Sequence, residues 1–297
     1  MSAIPVQSGP GPVTGAPALA GRAQRRLARR WYRQPALMAG IVILGVIVGM
    51  AAAAPLLTSY SPIAQDLNAS LLGPGAHHLL GTDQLGRDTF TRLLYGLRLD
   101  LRIAFIAVLF PFCLGTFLGS LAGYFGGWVD AVIMRLVDIV VAFPFYVLVI
   151  ALVFVLGQGE HSIYVAITAV GWVAYARIIR GEILVAKRQD YVVAARAGGL
   201  SSLRIMGRHL LPNVITQAFT YAMSDIVQDI LAIVTLGYLG LGIPPPTADL
   251  GSMINDGQNF LSTHWQLTTI PGLVVVIVGL GLSLVGDGLA DLLRPGQ

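Results

Sequence analysis

Six stretches of this sequence are long and apolar enough to cross a lipid bilayer, and they limit the fold more than any other feature. A transmembrane helix needs about 20 predominantly apolar residues. Runs of this kind occupy residues 36–57, 101–123, 136–157, 162–179, 215–242 and 267–289. Only 11% of the residues are charged, whereas a typical soluble domain has about 25%. The sequence therefore predicts an all-α, polytopic membrane protein with about six transmembrane helices.

The basic residues predict how these spans are oriented. If the N-terminus is cytoplasmic, all but four of the 19 Lys and Arg residues fall in cytoplasmic segments or near their ends. The exceptions are Arg87, Arg92, Arg98 and Arg102. Because cytoplasmic loops of membrane proteins carry an excess of Lys and Arg, we expect both termini to be cytoplasmic. The same rule accounts for the basic clusters without nucleic-acid binding, and we expect no nucleic-acid partner.

The segments between the spans divide the chain further. Residues 1–35 form a predicted cytoplasmic tail, partly disordered because its first 20 residues are rich in Gly, Pro, Ala and Ser. We interpret the run 36–57 as an uncleaved anchor, and 36–297 as one transmembrane domain that ends in a short cytoplasmic tail. Two extracytoplasmic segments, 58–100 and 243–266, are long, and structured loops of that length are usually functional.

Several kinds of chemistry are missing from the sequence. The single lysine, Lys187, lies in Ala-Lys-Arg-Gln, whereas a phosphate-binding loop needs Gly-Lys followed by Ser or Thr. The single cysteine, Cys113, lies in an apolar run and can form neither an intrachain disulfide nor a cysteine metal cluster. The sequence contains no His-Glu-x-x-His zinc motif and no obvious Ser/His nucleophile pair. We therefore expect neither an enzyme nor a cofactor bound by this chain.

The cytoplasmic segment 181–214 is the most informative stretch. Its sequence predicts a short helix, a break at Gly198-Gly199 and a second helix with Ser201 as its N-cap. Ala194, Ala195 and Gly199 are small, so another protein could approach the backbone closely. The basic residues Arg196, Arg204 and Arg208 could pair with acids on that partner, and we expect His209 to be a packing or contact residue. The alternative is an ordinary cytoplasmic loop with basic residues.

Asp225 and Asp229 are unusual because they lie within the fifth predicted span. At 1.5 Å per residue they are near the middle of the bilayer, and their i, i+4 spacing places them on one helix face. Intramembrane acids are energetically costly and are often functional. We hypothesise that they face a translocation cavity and interact with a cationic group of the solute. The alternative is a structural pair that faces a companion subunit.

Other polar residues have structural interpretations. Arg135 and Asp138 are spaced for a local ion pair. Asp83, Arg87 and Asp88 follow glycine-containing turns and are expected to hold the 58–100 segment together, with contact to a binding protein as the alternative. Adjacent histidines, His77 and His78, make only a weak candidate metal site.

The segment 181–214 resembles the cytoplasmic loop of ABC-importer permeases. That pattern is Glu-Ala-Ala, three residues, Gly, nine further residues, then an ending of the form x-x-Leu-Pro. Ala194, Ala195, Gly199, Leu211 and Pro212 match it, while Val193 stands at the Glu position, which weakens any claim of an acidic contact there.

The resemblance extends over roughly residues 35–295. Over this range the sequence is similar to the dipeptide, oligopeptide and nickel permeases. In particular, the 58–100 insert and the Gly286-Asp287-Gly288 ending resemble the C-type member of a pair of different permeases. The similar motifs are Leu80–Asp88, Gly123–Asp130, Met134–Asp138, Phe143-Pro144, Gly240–Thr247, Gly251–Met253, and Gly286–Leu289 with Asp291 and Pro295.

This resemblance implies a type I ABC-importer permease in a bacterial plasma membrane. It implies a second permease subunit, two ATPase subunits that bind ATP and Mg²⁺, and an extracytoplasmic binding protein that delivers peptides. The implied ATPase-coupling residues are Ala194, Ala195, Arg196, Gly199, Arg204, Arg208, His209 and Pro212. An alternative is the same assembly for nickel or another small solute. A self-sufficient secondary transporter is less favoured, because it would show inverted repeats and we find no convincing repeat.

Overall fold

The computed structural model describes residues 34–293, and this part of the chain is built from helices. Within that range the only pairing of extended segments is an isolated bridge between Thr82 and Asp88. The prediction of an all-α chain is confirmed. The predicted disordered tail and the ends of the chain, residues 1–33 and 294–297, lie outside the described residues.

The helices are numbered here in chain order. They are α1 Pro35–Ala52, α2 Ala54–Leu57, α3 Thr89–Phe125, α4 Gly127–Val141, α5 Phe145–Leu156, α6 Glu160–Ala186, α7 Asp190–Ala197, α8 Ser202–Ile205, α9 Leu211–Tyr238, α10 Leu250–Gln258 and α11 Gln266–Leu293. A π-helical turn, Met206–Leu210, joins α8 to α9 without a break.

Five stretches in the described range are single helices long and apolar enough to span a membrane: α1, α3, α6, α9 with the helical turns before it, and α11. The predicted span 136–157 is wrong as a single helix, because it joins the end of α4 to α5 across a bend of 88°. Pro144 at the bend has no N–H donor, and the residue before a proline disfavours helical geometry. If the bent pair counts as one crossing, the total of six agrees with the sequence.

The predicted segment boundaries shift accordingly. The extracytoplasmic insert 58–100 consists of a loop, residues 58–88, and the first turns of α3, which begins at Thr89. Asp88 caps that helix, because its carboxylate accepts a hydrogen bond from the Thr91 N–H at 2.7 Å. The segment 181–214 likewise starts inside α6 and ends inside α9.

Helix contacts show the direction of each crossing. Gly115 and Gly123 of α3 lie against Trp172 and Ile183 of α6, so α3 and α6 run parallel. In contrast, Gly40 of α1 lies against Leu284 of α11 while Gly288 of α11 lies against Leu37, so these two helices run antiparallel. Parallel neighbours require the chain to cross back between them, and α4–α5 makes that crossing.

Two ends of the helix bundle can therefore be distinguished. The loop face holds residues 58–88 and 239–265, and a hydrogen bond from the Gly159 N–H to the Gly242 carbonyl at 3.0 Å places the α5–α6 turn there too. The basic face holds residues 187–210. At the basic face the Lys187 ammonium donates to the Gly123 carbonyl at 2.7 Å, which joins the end of α6 to α3.

The contact between α3 and α6 depends on small residues. A Cβ atom added to Gly119 would lie 2.5 Å from the Ala176 carbonyl oxygen, and one added to Gly123 would lie 2.9 Å from the Ile183 Cβ. Such close backbone approach allows membrane helices to gain van der Waals contact where no hydrophobic effect drives association. We call Gly115, Gly119 and Gly123 the glycine ladder.

Candidate functional sites

The basic-face segment, residues 187–210, is attached to the bundle by three apolar side chains. Val192 of α7, Ile205 of α8 and Leu210 of the π-helical turn are each at most 1% exposed. They belong to one apolar cluster with Tyr175, Ile179 and Ile183 of α6 and Val214 and Ala218 of α9. The segment is thus seated across the ends of two membrane helices.

The predicted glycine break lies between α7 and α8 and has the geometry of a Schellman motif. The Leu200 N–H donates to the Ala195 carbonyl at 3.2 Å, and the Gly199 N–H to the Arg196 carbonyl at 3.0 Å. Gly199 has a φ of +77°, and open space surrounds the position of a Cβ there. Glycine is therefore favoured by backbone conformation and not by crowding. Ser201 occupies the predicted N-cap position, but its side chain makes no capping hydrogen bond.

The predicted coupling residues lie mostly on the outer surface of this segment. Ala195 and His209 are partly buried, and the others are exposed: Ala194, Arg196, Gly199, Arg204, Arg208 and Pro212. The Arg196 guanidinium lies 5.9 Å from the centroid of the Tyr124 ring, a cation–π distance. The His209 carbonyl accepts a hydrogen bond from the Asn213 side chain at 2.7 Å.

Sequence reasoning missed the apolar part of this surface. Leu203 is 71% exposed and Val193 56% exposed, and both lie among the exposed small and basic residues. Adjacent residues of an α-helix point about 100° apart, so Val193 can be exposed beside the buried Val192, but the sequence does not show which of the two faces the bundle. The surface therefore combines apolar side chains, small residues and arginines.

Asp225 and Asp229 of α9 are buried inside the chain, at 6% and 1% exposure. The Tyr175 hydroxyl of α6 donates to the Asp225 carboxylate at 2.7 Å. The Tyr175 ring also packs edge-on against Tyr221, with centroids 5.0 Å apart. The Oδ2 atom of Asp229 has no hydrogen-bond partner among residues 34–293. Whether these acids meet a solute stays a prediction.

Tyr175 connects the two candidate sites. It is fully buried and belongs to the same apolar cluster as Val192, Ile205 and Leu210, while its hydroxyl binds Asp225. A displacement of the basic-face segment would therefore reach the buried acids through directly packed groups. Nothing in the spacing of the sequence indicates this contact, because Tyr175 and Asp225 are 50 residues apart.

A buried ionic network holds the loop face together. The Asp83 carboxylate accepts from the Arg87 Nε at 2.6 Å and lies 3.4 Å from the Arg92 Nε. Arg87 also reaches Asp256 of α10 at 3.4 Å. These contacts agree with the expected structural role of Asp83 and Arg87. His78, one of the weak metal candidates, forms a hydrogen bond between its Nδ1 atom and the Asp88 carboxylate at 2.8 Å.

Ion pairs near the basic face join helices distant in sequence. The Arg180 guanidinium of α6 makes a bidentate contact with Asp130 of α4, at 2.5 and 2.6 Å. Asp138 lies 3.6 Å from Arg177 of α6, so the predicted local pair with Arg135 is wrong within the described residues. An i, i+3 spacing permits a pair, but it cannot show that a second helix presents a competing guanidinium.

Comparison with protein families identifies the architecture. Residues 115–297 match the model of the binding-protein-dependent transport system inner membrane component. The chain belongs to this family of transport permeases. Residues 24–74 also match the N-terminal TM domain of oligopeptide transport permease C, in agreement with the C-type resemblance of the insert.

Curated relatives of the permease cover nearly its whole length. The dipeptide transport system permease protein DppC of Bacillus subtilis (strain 168) is 38% identical over 90% of this chain and 84% of the relative. The probable D,D-dipeptide transport system permease protein DdpC of Escherichia coli (strain K12) is 36% identical over 88% of each chain.

Solved structures show the same fold. The permease aligns with a chain of the MetNI methionine ABC transporter, in inward-facing conformations, with a TM-score of 0.54 at 19% identity. The alignment covers 68% of this chain and 97% of that one. The type I ABC-importer architecture expected from the resemblance is confirmed, and the chain is a multi-pass membrane permease.

Proposed function

We propose that this permease forms one half of the translocation path of an ATP-driven importer of dipeptides or oligopeptides. The observation that carries the proposal is the basic-face segment: an exposed surface of small, apolar and basic residues, seated on the ends of α6 and α9. The relatives named for dipeptide transport support the peptide as solute.

The proposed assembly contains a second, different permease subunit, two ATPase subunits and an extracytoplasmic binding protein in a bacterial plasma membrane. Both termini and the basic face are then cytoplasmic, in keeping with the excess of basic residues there. ATP and Mg²⁺ bind to the ATPase subunits, because this sequence lacks a phosphate-binding loop. The binding protein meets the loop face.

Coupling then proceeds through packed groups. One ATPase grips the exposed surface around Ala194 and Gly199, and the other grips the corresponding surface of the second permease. ATP binding favours one position of the segment over another. A ligand shifts such an equilibrium only by its difference in affinity for the two states. Val192, Ile205 and Leu210 transmit the displacement to α6 and α9, which carry Tyr175 and Asp225.

The buried acids supply the proposed contact with the solute. The peptide's ammonium group needs an anionic partner in a low-dielectric path, and the Asp229 carboxylate retains an oxygen without a partner among the described residues. Because Asp225 and Asp229 are now covered, α9 must move relative to α6 before a solute reaches them. Breaking the Tyr175–Asp225 hydrogen bond is part of that movement.

Substitution of Gly199 tests coupling. A non-glycine residue in the left-handed conformation costs about 1–2 kcal/mol, and a β-branched residue is especially unfavourable there. We expect Gly199→Val to insert normally but to hydrolyse ATP with much less peptide uptake in reconstituted vesicles. Gly207→Ala is the matched control, since Gly207 lies in open space on the same segment with an ordinary φ. Normal coupled uptake by Gly199→Val would refute the docking role.

A second experiment tests the path. The double variant Asp225→Asn, Asp229→Asn keeps the side-chain shapes but removes the negative charge, and we expect peptide uptake to fall. Asp138→Asn, which alters an exposed carboxylate of α4, should transport normally. Unchanged uptake by the double variant would exclude the acids from solute contact. Parallel uptake of Ni²⁺ distinguishes the alternative solute class.

A further inference from the structure

A cavity of about 340 Å³ opens at the loop face beside α3. Three segments form it: the loop 58–88, the first turns of α3, and the residues before α10. Its lining includes Pro62, Ile63, Tyr95, Arg98, Arg102 and Thr247. Both charged residues of this lining come from α3, one helical turn apart, and the other side chains are apolar, aromatic or hydroxyl.

The charge of this cavity is not balanced. Arg102 donates to Glu160 of α6 at 2.6 Å. Arg98 is exposed, and no acidic side chain of residues 34–293 lies within the 4.0 Å of an ion pair from it. The earlier arginines of this region, Arg87 and Arg92, are instead buried against Asp83 and Asp256. Arg98 thus leaves one positive charge available to a ligand.

An apolar stripe continues from the cavity along α3. Phe105 is 69% exposed, Leu109 52% exposed and Cys113 exposed. With Arg98 and Arg102 these residues follow a spacing of i, i+4, i+7, i+11 and i+15, which keeps them on one helix face. From Arg102 to Cys113 the stripe extends about 16 Å, close to half of the roughly 30 Å hydrocarbon core.

We propose that this cavity and stripe bind one anionic phospholipid. The Arg98 guanidinium holds the phosphate, for which its planar set of donors is well matched, and an acyl chain lies along Phe105 and Leu109. A single cation above a bare apolar strip of one leaflet's depth is complementary to an amphiphile with one negative charge. A soluble anion would leave the strip uncovered. This site is independent of the transported solute.

The single cysteine provides the probe, since Cys113 is at the far end of the stripe and the chain has no other cysteine. An environment-sensitive fluorophore is attached to Cys113 in the assembly purified from its membrane and placed in nanodiscs. Spin-labelled phosphatidylglycerol or spin-labelled phosphatidylcholine is then titrated as quencher. We expect phosphatidylglycerol to reach half-maximal quenching at a mole fraction about fivefold lower than phosphatidylcholine does. This ratio corresponds to the attraction of about 1 kcal/mol between one basic residue and an anionic headgroup.

Variants assign the preference to Arg98. Arg98→Ala should remove the difference between the two lipids, and Arg98→Lys, which keeps the charge, should retain most of it. Arg135→Ala is the control, because Arg135 is an exposed arginine of α4 outside this cavity. Equal quenching by both lipids in the unsubstituted chain, or an unchanged preference in Arg98→Ala, would overturn the proposal. So would a Cys113 that neither lipid quenches, because a companion subunit would then cover the stripe.

Discussion

The two ends of this permease are held together by different forces. At the loop face, charged side chains are buried and paired: Asp83, Arg87 and Arg92 are each at most 7% exposed and link the loop 58–88 to α3 and α10. At the basic face, the segment 187–210 is attached mainly by the apolar side chains of Val192, Ile205 and Leu210, with one hydrogen bond from Lys187 to the Gly123 carbonyl. The charged residues of that segment are mostly exposed.

This difference assigns a mechanical role to each end. A buried ionic network has one satisfactory geometry, because any displacement leaves a charge unpaired at high cost. Apolar contacts are non-directional, so a segment attached by them can slide or tilt at smaller cost. We therefore expect the loop face to be the more rigid end of the molecule and the basic face to be the end that moves.

The largest effect is expected from Asp83→Ala. This change leaves Arg87 and Arg92 with only the more distant carboxylate of Asp256, at 3.4 and 3.9 Å. Loss of one partner of a buried ion pair destabilises by about 3–5 kcal/mol. Hydrogen exchange of the purified protein should show the amides of residues 58–88 opening first. Asp66→Asn, which removes an exposed charge of the same loop, should change little. Equal exchange in both variants would show that the network does not hold the loop face.

Leu210→Ala should act at the opposite end. Truncation of a fully buried leucine costs about 2–5 kcal/mol, so amides in residues 187–210 should exchange faster while those of 58–88 stay protected. Leu203→Ala, at a position 71% exposed, is the matched control. If Leu210→Ala loosened both ends together, the division into a rigid and a movable end would be wrong.

A smaller effect concerns pH at the loop face. Burial raises the pKa of Asp249 above its ordinary value of 3.8, despite hydrogen bonds from Ser252 and the neighbouring charge of Arg92. Because the folded state then holds the proton more tightly than the unfolded state, this residue's contribution is fully present below pH 3.8 and is lost as the pH rises through the raised pKa.

Asp249→Asn checks this sign. Asparagine can still accept the hydrogen bond from the Ser252 N–H, which measures 2.9 Å, but it does not titrate. We expect the melting temperature of the variant to fall less than that of the unsubstituted protein as the pH rises from acid to neutral. If the melting temperatures of the two proteins changed in parallel with pH, the prediction would be contradicted.

The smallest effect should follow Arg102→Ala. The ion pair with Glu160 joins side chains that are 55% and 38% exposed, and exposed pairs contribute about 0–1 kcal/mol. The melting temperatures of the variant and of the unsubstituted protein should differ little at either high or low salt. If Arg102→Ala destabilised the protein as much as Asp83→Ala does, burial would not explain the strength of the loop-face network.

Hydropathy located the spans because each apolar run must be about one bilayer thick. It failed at residues 136–157, since a hydropathy average does not register the geometric break at Pro144. It also placed the end of the fifth span at residue 242, whereas α9 ends at Tyr238 and Gly240 has a φ of +74°. Helix ends depend on single residues, and averages over many residues conceal them.

The candidate sites were predictable where local chemistry decides. Gly198-Gly199 predicted a break, and the structure places a left-handed residue at Gly199. Partners across helices were not predictable: Asp138 contacts Arg177 and Asp225 contacts Tyr175 because of how α6 packs against α4 and α9. Such contacts depend on the rotation of each helix, which the sequence of one helix does not determine.

The glycine ladder has a consequence for biosynthesis. Its partner surface on α6 begins at Trp172 and ends at Ile183, so about 60 residues must be synthesised after Gly123 before the contact can close. At about 5–20 residues per second, α3 waits roughly 3–12 seconds in the translocation machinery or the lipid with its closest-packing surface uncovered. Assembly of this permease is therefore not a simple sequence of neighbouring hairpins, because α3 closes its tightest contact with a helix that is synthesised two segments later.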